Sequence, residues 1–170
     1  DFFRRFTFLV CAPAFDADDL EGHRLGEITV SIEKMGFQVV RARRIEDAEM
    51  VVQTDAAVGC MVVDWGKKGL DGKAAAMINM MRRRGLEMPI VILVRRKRLQ
   101  DIPVEVMDYI DGYIFLSEET PEFIAKNLVF AGMIAAFSYQ LSSYKGLPNV
   151  LIVMLLLMLV YDFVASKTTI

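Results

Sequence analysis

Residues 89–94 read Pro-Ile-Val-Ile-Leu-Val, and this run decides the fold. Consecutive aliphatic, mostly β-branched side chains are typical of a strand that is buried on both faces, as in a parallel sheet. Residues 59–63 are a second apolar run, which ends at Asp64. Between the two runs, residues 72–84 have the spacing of a helix, and Gly85 ends it. This strand–helix–strand unit predicts parallel strands joined by a crossover helix.

The same alternation continues in both directions along the chain. It predicts strands at residues 6–11, 37–42 and 112–116 and helices at residues 20–35, 45–54, 103–110 and 121–129. Asp18 or Asp19 is expected to cap the first helix, and Gly36 to end it. The sequence therefore predicts an α/β fold, with a flavodoxin-like or receiver-like five-stranded parallel sheet and helices on both faces. In this fold a site lies at the carboxyl ends of the first and third strands.

The distribution of charge divides the chain of 170 residues, which is 54% hydrophobic. Charged residues are frequent up to Lys126, but only Lys145, Asp162 and Lys167 follow. We therefore predict a domain at residues 1–129 and a hydrophobic helical tail at residues 130–170. The net charge of −2 gives no electrostatic reason to expect a nucleic-acid partner.

The beginning of the chain and its cysteines indicate a fragment from a reducing compartment. The sequence lacks an initiator Met and a recognisable signal peptide. Cys11 and Cys60 each fall in an apolar run, which favours buried free thiols over a disulfide. We therefore expect residues 1–129 to be cytoplasmic.

Asp64 and Asp71 correspond to the phosphoacceptor region of a response-regulator receiver, which the chain resembles at this point. The turn after the first strand has no carboxylate before Asp16, although Mg²⁺ requires several hard oxygen ligands. The positions that should bind the phosphoryl group after the fourth and fifth strands hold Val94 and Leu116. Because neither side chain can donate a hydrogen bond, we expect a degenerate receiver site without catalytic, cofactor-binding or metal-binding residues.

A basic run follows the fourth strand. It is a candidate anion patch for a nucleotide or an anionic lipid, and a solvated surface is the simpler interpretation. Its members are Arg95, Arg96, Lys97 and Arg98.

Residues 110–125, Ile-Asp-Gly-Tyr-Ile-Phe-Leu-Ser-Glu-Glu-Thr-Pro-Glu-Phe-Ile-Ala, form a distinctive motif. Together with residues 36–40, 60–65 and 102–106, it resembles the end of the N-terminal wing domain of bacterial ornithine/lysine/arginine decarboxylases. The resemblance covers about residues 3–129. It implies a degenerate receiver-like domain that precedes a pyridoxal-phosphate (PLP) domain, helps to assemble subunits and, in some members, hosts regulatory ligands.

The same resemblance implies that this chain is not itself an enzyme. The catalytic lysine of the family lies far downstream, near a Pro-Gly-His signature that is absent here. No cofactor is therefore expected on this chain, and PLP belongs to the parent family. The expected partners are further copies of the chain or the remaining decarboxylase domains.

The tail resembles a different family. Residues 144–152 (Tyr-Lys-Gly-Leu-Pro-Asn-Val-Leu-Ile) and 165–170 (Ala-Ser-Lys-Thr-Thr-Ile) are similar to part of the membrane permease of xylose-type sugar ABC importers. The apolar stretch at residues 147–165 falls just short of the ~20 residues that span a bilayer. A membrane segment, in the inner membrane, is therefore one interpretation, and a buried helix in an oligomer is the other. A fusion, a rearranged reading frame or a sequence joined from two sources would each explain the combination.

Three functions remain open from the sequence. The first is a non-catalytic pseudo-receiver that assembles or regulates a PLP-dependent basic amino-acid decarboxylase. The second is a fragment of a sugar permease or a membrane-anchored interaction module. The third is a receiver that is phosphorylated on Asp64.

Overall fold

A computed structural model of the chain describes residues 6–16, 19–55, 57–66, 71–116, 119–142 and 158. Within these residues, parallel strands form one sheet in the order β2-β1-β3-β4-β5. The strands are β1 (Thr7–Cys11), β2 (Gln38–Ala42), β3 (Val58–Trp65), β4 (Ile90–Val94) and β5 (Gly112–Phe115). The predicted α/β architecture is therefore confirmed.

The α-helices cover both faces of the sheet. They are α1 (Leu20–Lys34), α2 (Ile45–Thr54), α3 (Asp71–Arg83), α4 (Val104–Met107) and α5 (Pro121–Ser142), with 3₁₀ helices at Pro13–Asp16 and Arg96–Asp101. Helices α1 and α5 pack on one face with Phe8 and Val10 of β1. Helices α2, α3 and α4 pack on the other face, with Leu9 and Cys11 of the same strand. Alternate side chains of each central strand thus belong to two hydrophobic cores, one on each face of the sheet.

The ends of α1 follow the predicted signals. The Asp19 carboxylate accepts a hydrogen bond of 2.8 Å from the Gly22 N–H, which caps the first turn. Gly36 has a φ of +91°, a left-handed conformation that suits glycine and ends the helix. Cys11 and Cys60 are buried free thiols, as predicted.

The region between β4 and β5 differs from the prediction. Residues 103–110 were predicted as a helix, but α4 occupies only Val104–Met107, and an unpredicted 3₁₀ helix precedes it. Pro103 separates the two because proline restrains the residue before it, and Ile102 is extended with φ −76° and ψ 121°. After α4, the Asp111 N–H already bonds to the Ile90 carbonyl in the sheet, so the chain must be extended there.

Helix α5 continues across the predicted domain boundary at residues 129 and 130 without a break. Its buried side chains on the sheet include Leu128, Val129 and Ala136. Gly132 allows the helix to approach the sheet closely, because a Cβ there would lie 2.9 Å from Cys60 Sγ. The division into residues 1–129 and 130–170 stays a prediction, and residues 143–157 and 159–170 lie outside the described residues.

One helix among the described residues, Pro121–Leu141, is long and apolar enough to cross a membrane by length and composition alone. A core helix passes the same test, and Ile124, Ala125 and Leu128 of this helix are fully buried against the sheet. The predicted membrane segment at residues 147–165 is a different one, and apart from Met158 it lies outside the described residues.

Candidate functional site

The carboxyl edge of the sheet holds Asp64, the candidate phosphoacceptor. It is the penultimate residue of β3, and its side chain is only 3% exposed. Its Oδ1 accepts a hydrogen bond of 3.1 Å from Nη1 of Arg95, the residue that follows β4. The carboxylate therefore faces the guanidinium of Arg95.

Arg95 also binds Glu21 in the first turn of α1. Its Nε and Nη2 donate to the two carboxylate oxygens of Glu21 at 2.8 Å and 2.6 Å. Such a bidentate pair is among the stronger hydrogen-bonded arrangements of a guanidinium. Gly66 leaves the space for this side chain, because a Cβ there would overlap the guanidinium. One arginine thus ties α1 to the end of β3.

The electrostatics of Asp64 follow from its burial. Burial raises the pKa of Asp64, and the nearby charge and hydrogen bond of Arg95 oppose that rise. The hydrogen bond to Glu21 and the charge of Asp64 in turn hold the pKa of Arg95 above its usual range. The carboxylate of Asp64 is therefore buried and ion-paired, whereas a nucleophile must be accessible to the group that it attacks.

A second ion pair lies beside the first. Arg98 Nη2 donates to Asp71 Oδ2 at 2.7 Å, and burial raises the pKa of Asp71. Arg98 Nε lies 2.7 Å from Asp101 Oδ2 as an ion pair, without the alignment of a hydrogen bond. Asp71, the first residue of α3, is therefore bound by the 3₁₀ helix that follows β4.

The remaining receiver positions offer no phosphate-binding groups. Val94 is 0% exposed and Leu116 is 2% exposed, so both belong to the hydrophobic cores. Among the described residues, no group of three or more His, Cys, Asp or Glu side chains is arranged to hold a metal ion. The Mg²⁺ of a receiver therefore does not fit the described part of this site.

The structure does not bring the four residues of the predicted anion patch together. Arg95 and Arg98 are turned towards carboxylates, as described above. Arg96 is exposed and its guanidinium carbon lies 5.1 Å from the ring centroid of Phe115, and Lys97 is exposed. An anion would therefore depend on Arg96 and Lys97.

A polar cluster that the sequence did not predict lies next to the amino-terminal ends of β4 and β5. Asp111 accepts hydrogen bonds from the Ile90 N–H at 2.8 Å, from Arg82 Nη2 at 3.0 Å and from the Tyr139 hydroxyl at 2.8 Å. Burial, together with the bond to Asp111, raises the pKa of Tyr139 to about 12. This cluster fastens the C-terminal half of α5 to the start of β4.

Strand β5 pairs only with β4 and so forms one edge of the sheet, and exposed apolar side chains occur on it and on the segments before and after it. We call them the β5 surface. The exposed fractions are 74% for Val104, 37% for Met107, 38% for Tyr109, 42% for Tyr113 and 48% for Phe123. Exposed apolar patches are a common feature of interaction sites.

Comparison with known proteins connects this fold to one family. The family model described as "Orn/Lys/Arg decarboxylase, N-terminal domain" matches residues 20–131. The curated lysine decarboxylase LdcA of Pseudomonas aeruginosa is 22% identical in an alignment of 158 residues that covers 85% of this chain and 21% of the relative. The chain thus spans about a fifth of the length of the curated relative that it matches.

Solved structures show the same fold. Lysine decarboxylase A from Pseudomonas aeruginosa superposes with a TM-score of 0.63 and 24% identity, over 76% of this chain and 18% of that one. A response regulator receiver domain protein from Clostridium thermocellum superposes with a TM-score of 0.61 and 16% identity, over 80% of this chain and 98% of that one.

Proposed function

The chain belongs to the Orn/Lys/Arg decarboxylase N-terminal domain family, and we propose that it is a non-catalytic pseudo-receiver that assembles subunits of a PLP-dependent basic amino-acid decarboxylase. The proposal assigns no PLP to this chain. It makes the chain an interaction module rather than an enzyme. A role in regulating the same decarboxylase is compatible with it.

The ion pairs at the carboxyl edge argue against phosphorylation of Asp64. A receiver uses its aspartate as a nucleophile, with a metal ion and a hydroxyl to stabilise the phosphoryl group. In this chain Arg95 binds Asp64 directly, and Val94 and Leu116 supply no donor. The domain therefore has the receiver fold, but these residues do not supply the groups that the receiver reaction uses.

The observation that carries the assembly role is the β5 surface. Edge strands are commonly protected from pairing by charged side chains. The other edge, β2, carries Arg41, whereas β5 (Gly112–Phe115) has no charged residue. Tyr113 and Phe115 lie on the same face of β5, with ring centroids 5.7 Å apart. An uncharged edge beside exposed aromatic and aliphatic side chains suits contact with another subunit.

Sedimentation velocity of the full chain over a range of concentrations tests this proposal. Tyr113→Lys places a charge on the β5 surface and is expected to shift the chain towards monomer. Val30→Lys is the matched control, because Val30 on α1 is exposed to the same 42% but lies away from β5. A wild-type chain that stays monomeric at every concentration, or two variants that behave alike, would count against the β5 surface.

A further inference from the structure

The free edge of β5 is a template for another strand. The backbone groups of a strand alternate between its two sides in the plane of the sheet. On one side β5 pairs with β4, and among the residues that the structure describes no strand lies on the other side. Charged side chains and prolines commonly protect such edges. The sequence of β5, Gly-Tyr-Ile-Phe, contains neither.

We propose that β5 of a second copy of this chain pairs antiparallel with this edge. A two-fold axis then joins two five-stranded sheets into one continuous sheet. The inference rests on the assembly role proposed above, and it specifies the partner of the β5 surface and the way in which the two copies meet.

The charge distribution favours a second copy as the partner. Close to a two-fold axis, each residue lies near the same residue of the other copy, so a charged residue there meets its own charge. The edge strand β2 contains Arg41, whereas β5 carries no charge along Gly112–Phe115. Two copies of β5 can therefore approach each other without repulsion between like charges.

The side chains of β5 determine the register of this pair. Phe115 packs with the core on the α3 and α4 face, together with its neighbour Tyr113, and Ile114 packs with the core on the α1 and α5 face. Opposite residues of an antiparallel pair lie on the same face. With Ile114 on the axis, Tyr113 of each copy lies opposite Phe115 of the other. The ring pair of each copy, at 5.7 Å, then extends into a cluster of four rings.

Disulfide trapping between full chains tests the pairing and its register. Tyr113→Cys and Phe115→Cys are prepared as separate proteins, mixed at low concentration so that subunits exchange, concentrated and oxidised with copper–phenanthroline. Opposite residues have Cα atoms about 4.5–5.5 Å apart, which suits a disulfide. Intact-mass spectrometry is expected to show linked pairs that contain one chain of each variant.

Single variants provide the controls. Tyr113→Cys alone is expected to link several-fold less than the mixture, because its two copies would lie about 8 Å apart at Cα, beyond the reach of a disulfide. Ile114→Cys leaves both rings in place and is expected to link to itself, so the test does not depend on how Phe115→Cys folds. Val30→Cys, exposed to 42% on α1, is expected to stay unlinked. The native cysteines are buried, and burial raises the pKa of the Cys11 thiol to about 12, so they react poorly.

The other outcomes overturn the proposal. If Tyr113→Cys alone links as well as the mixture, the register is wrong. If neither the mixture nor Ile114→Cys links, although the wild-type chain self-associates and Tyr113→Lys does not, the β5 surface assembles subunits without strand pairing; the proposed function then stands and this inference fails. A wild-type chain that is monomeric at every concentration overturns both, so the two failures are distinguishable.

Discussion

Replacement of Arg95 by methionine is the most informative perturbation of the carboxyl edge. Methionine retains apolar volume but leaves the Asp64 carboxylate, whose side chain is 3% exposed, without the guanidinium that binds it. Glu21 also loses its partner, but its side chain is 51% exposed and water can solvate it. The effect of the substitution is therefore dominated by Asp64.

The expected loss of stability is about 3 kcal/mol at neutral pH. Removing one partner of a buried ion pair costs about 3–5 kcal/mol, because the other charge stays buried without compensation. The lower end of that range applies here, since the Arg95 side chain is 19% exposed and water can enter the vacated space. A surface ion pair would contribute about 0–1 kcal/mol.

The loss should depend on pH with a defined sign. Burial already raises the pKa of Asp64, and without Arg95 that pKa rises further. A carboxyl whose pKa is higher in the folded state lowers stability as the pH increases from the unfolded pKa to the folded pKa. The penalty for Arg95→Met is therefore largest near pH 7 and shrinks towards pH ~4, where aspartate protonates in the unfolded chain as well.

Urea denaturation of the full chain at several pH values measures this effect. Asp64→Asn in the Arg95→Met background removes the stranded charge and should recover most of the loss. Arg44→Met is the control, because Arg44 is 70% exposed and its pair with Glu46 spans 3.6 Å. A loss below ~1 kcal/mol, a loss that does not change with pH, or a double variant no better than the single one would refute the reasoning.

Two further predictions concern the ends of the sheet. Tyr139→Phe removes one donor from Asp111, which keeps its bonds to Arg82 and the Ile90 N–H, and should cost about 1 kcal/mol in urea denaturation; a neutral result would mean that the helix is held by its apolar contacts alone. Acetyl phosphate with Mg²⁺ should leave Asp64 unmodified in intact-mass spectrometry, under conditions in which a functional receiver domain gains a phosphoryl group. An adduct on Asp64 would contradict the pseudo-receiver interpretation.

The sheet could be predicted from the sequence because the signals for its strands and helices are local. The aliphatic run of β4, the Asp19 cap and Gly36 each determine structure within a few residues of themselves. The alternation of strands and helices predicts a parallel sheet, and five such units match the flavodoxin-like strand order that the structure shows. The helix predicted at residues 103–110 is present but shorter, for one local and one non-local reason. Pro103 and the sheet contact of Asp111 leave room for only one helical turn.

The partners of Asp64 were not predictable in the same way. The sequence indicated that Val94 and Leu116 lack the groups that a phosphoryl site needs, and the structure shows both in the cores. The sequence gave no indication that Arg95 binds Asp64 and Glu21, because these two partners lie 31 and 74 residues before it in the chain. The bond between Tyr139 and Asp111 was missed for the same reason, since spacing along the chain carries no information on such contacts.

The cluster of Arg82, Asp111 and Tyr139 also determines how the domain bears a mechanical load. Tension applied to the chain after Ser142 passes along the rigid rod of α5 and reaches the start of β4 through Tyr139, about one helical turn from the end of the rod. The load is thus shared among a hydrogen bond, a cation–π contact at 5.8 Å and the packing of α5 along the sheet. Motion of the chain after Ser142 would therefore be transmitted through Tyr139 and Asp111 to the start of β4.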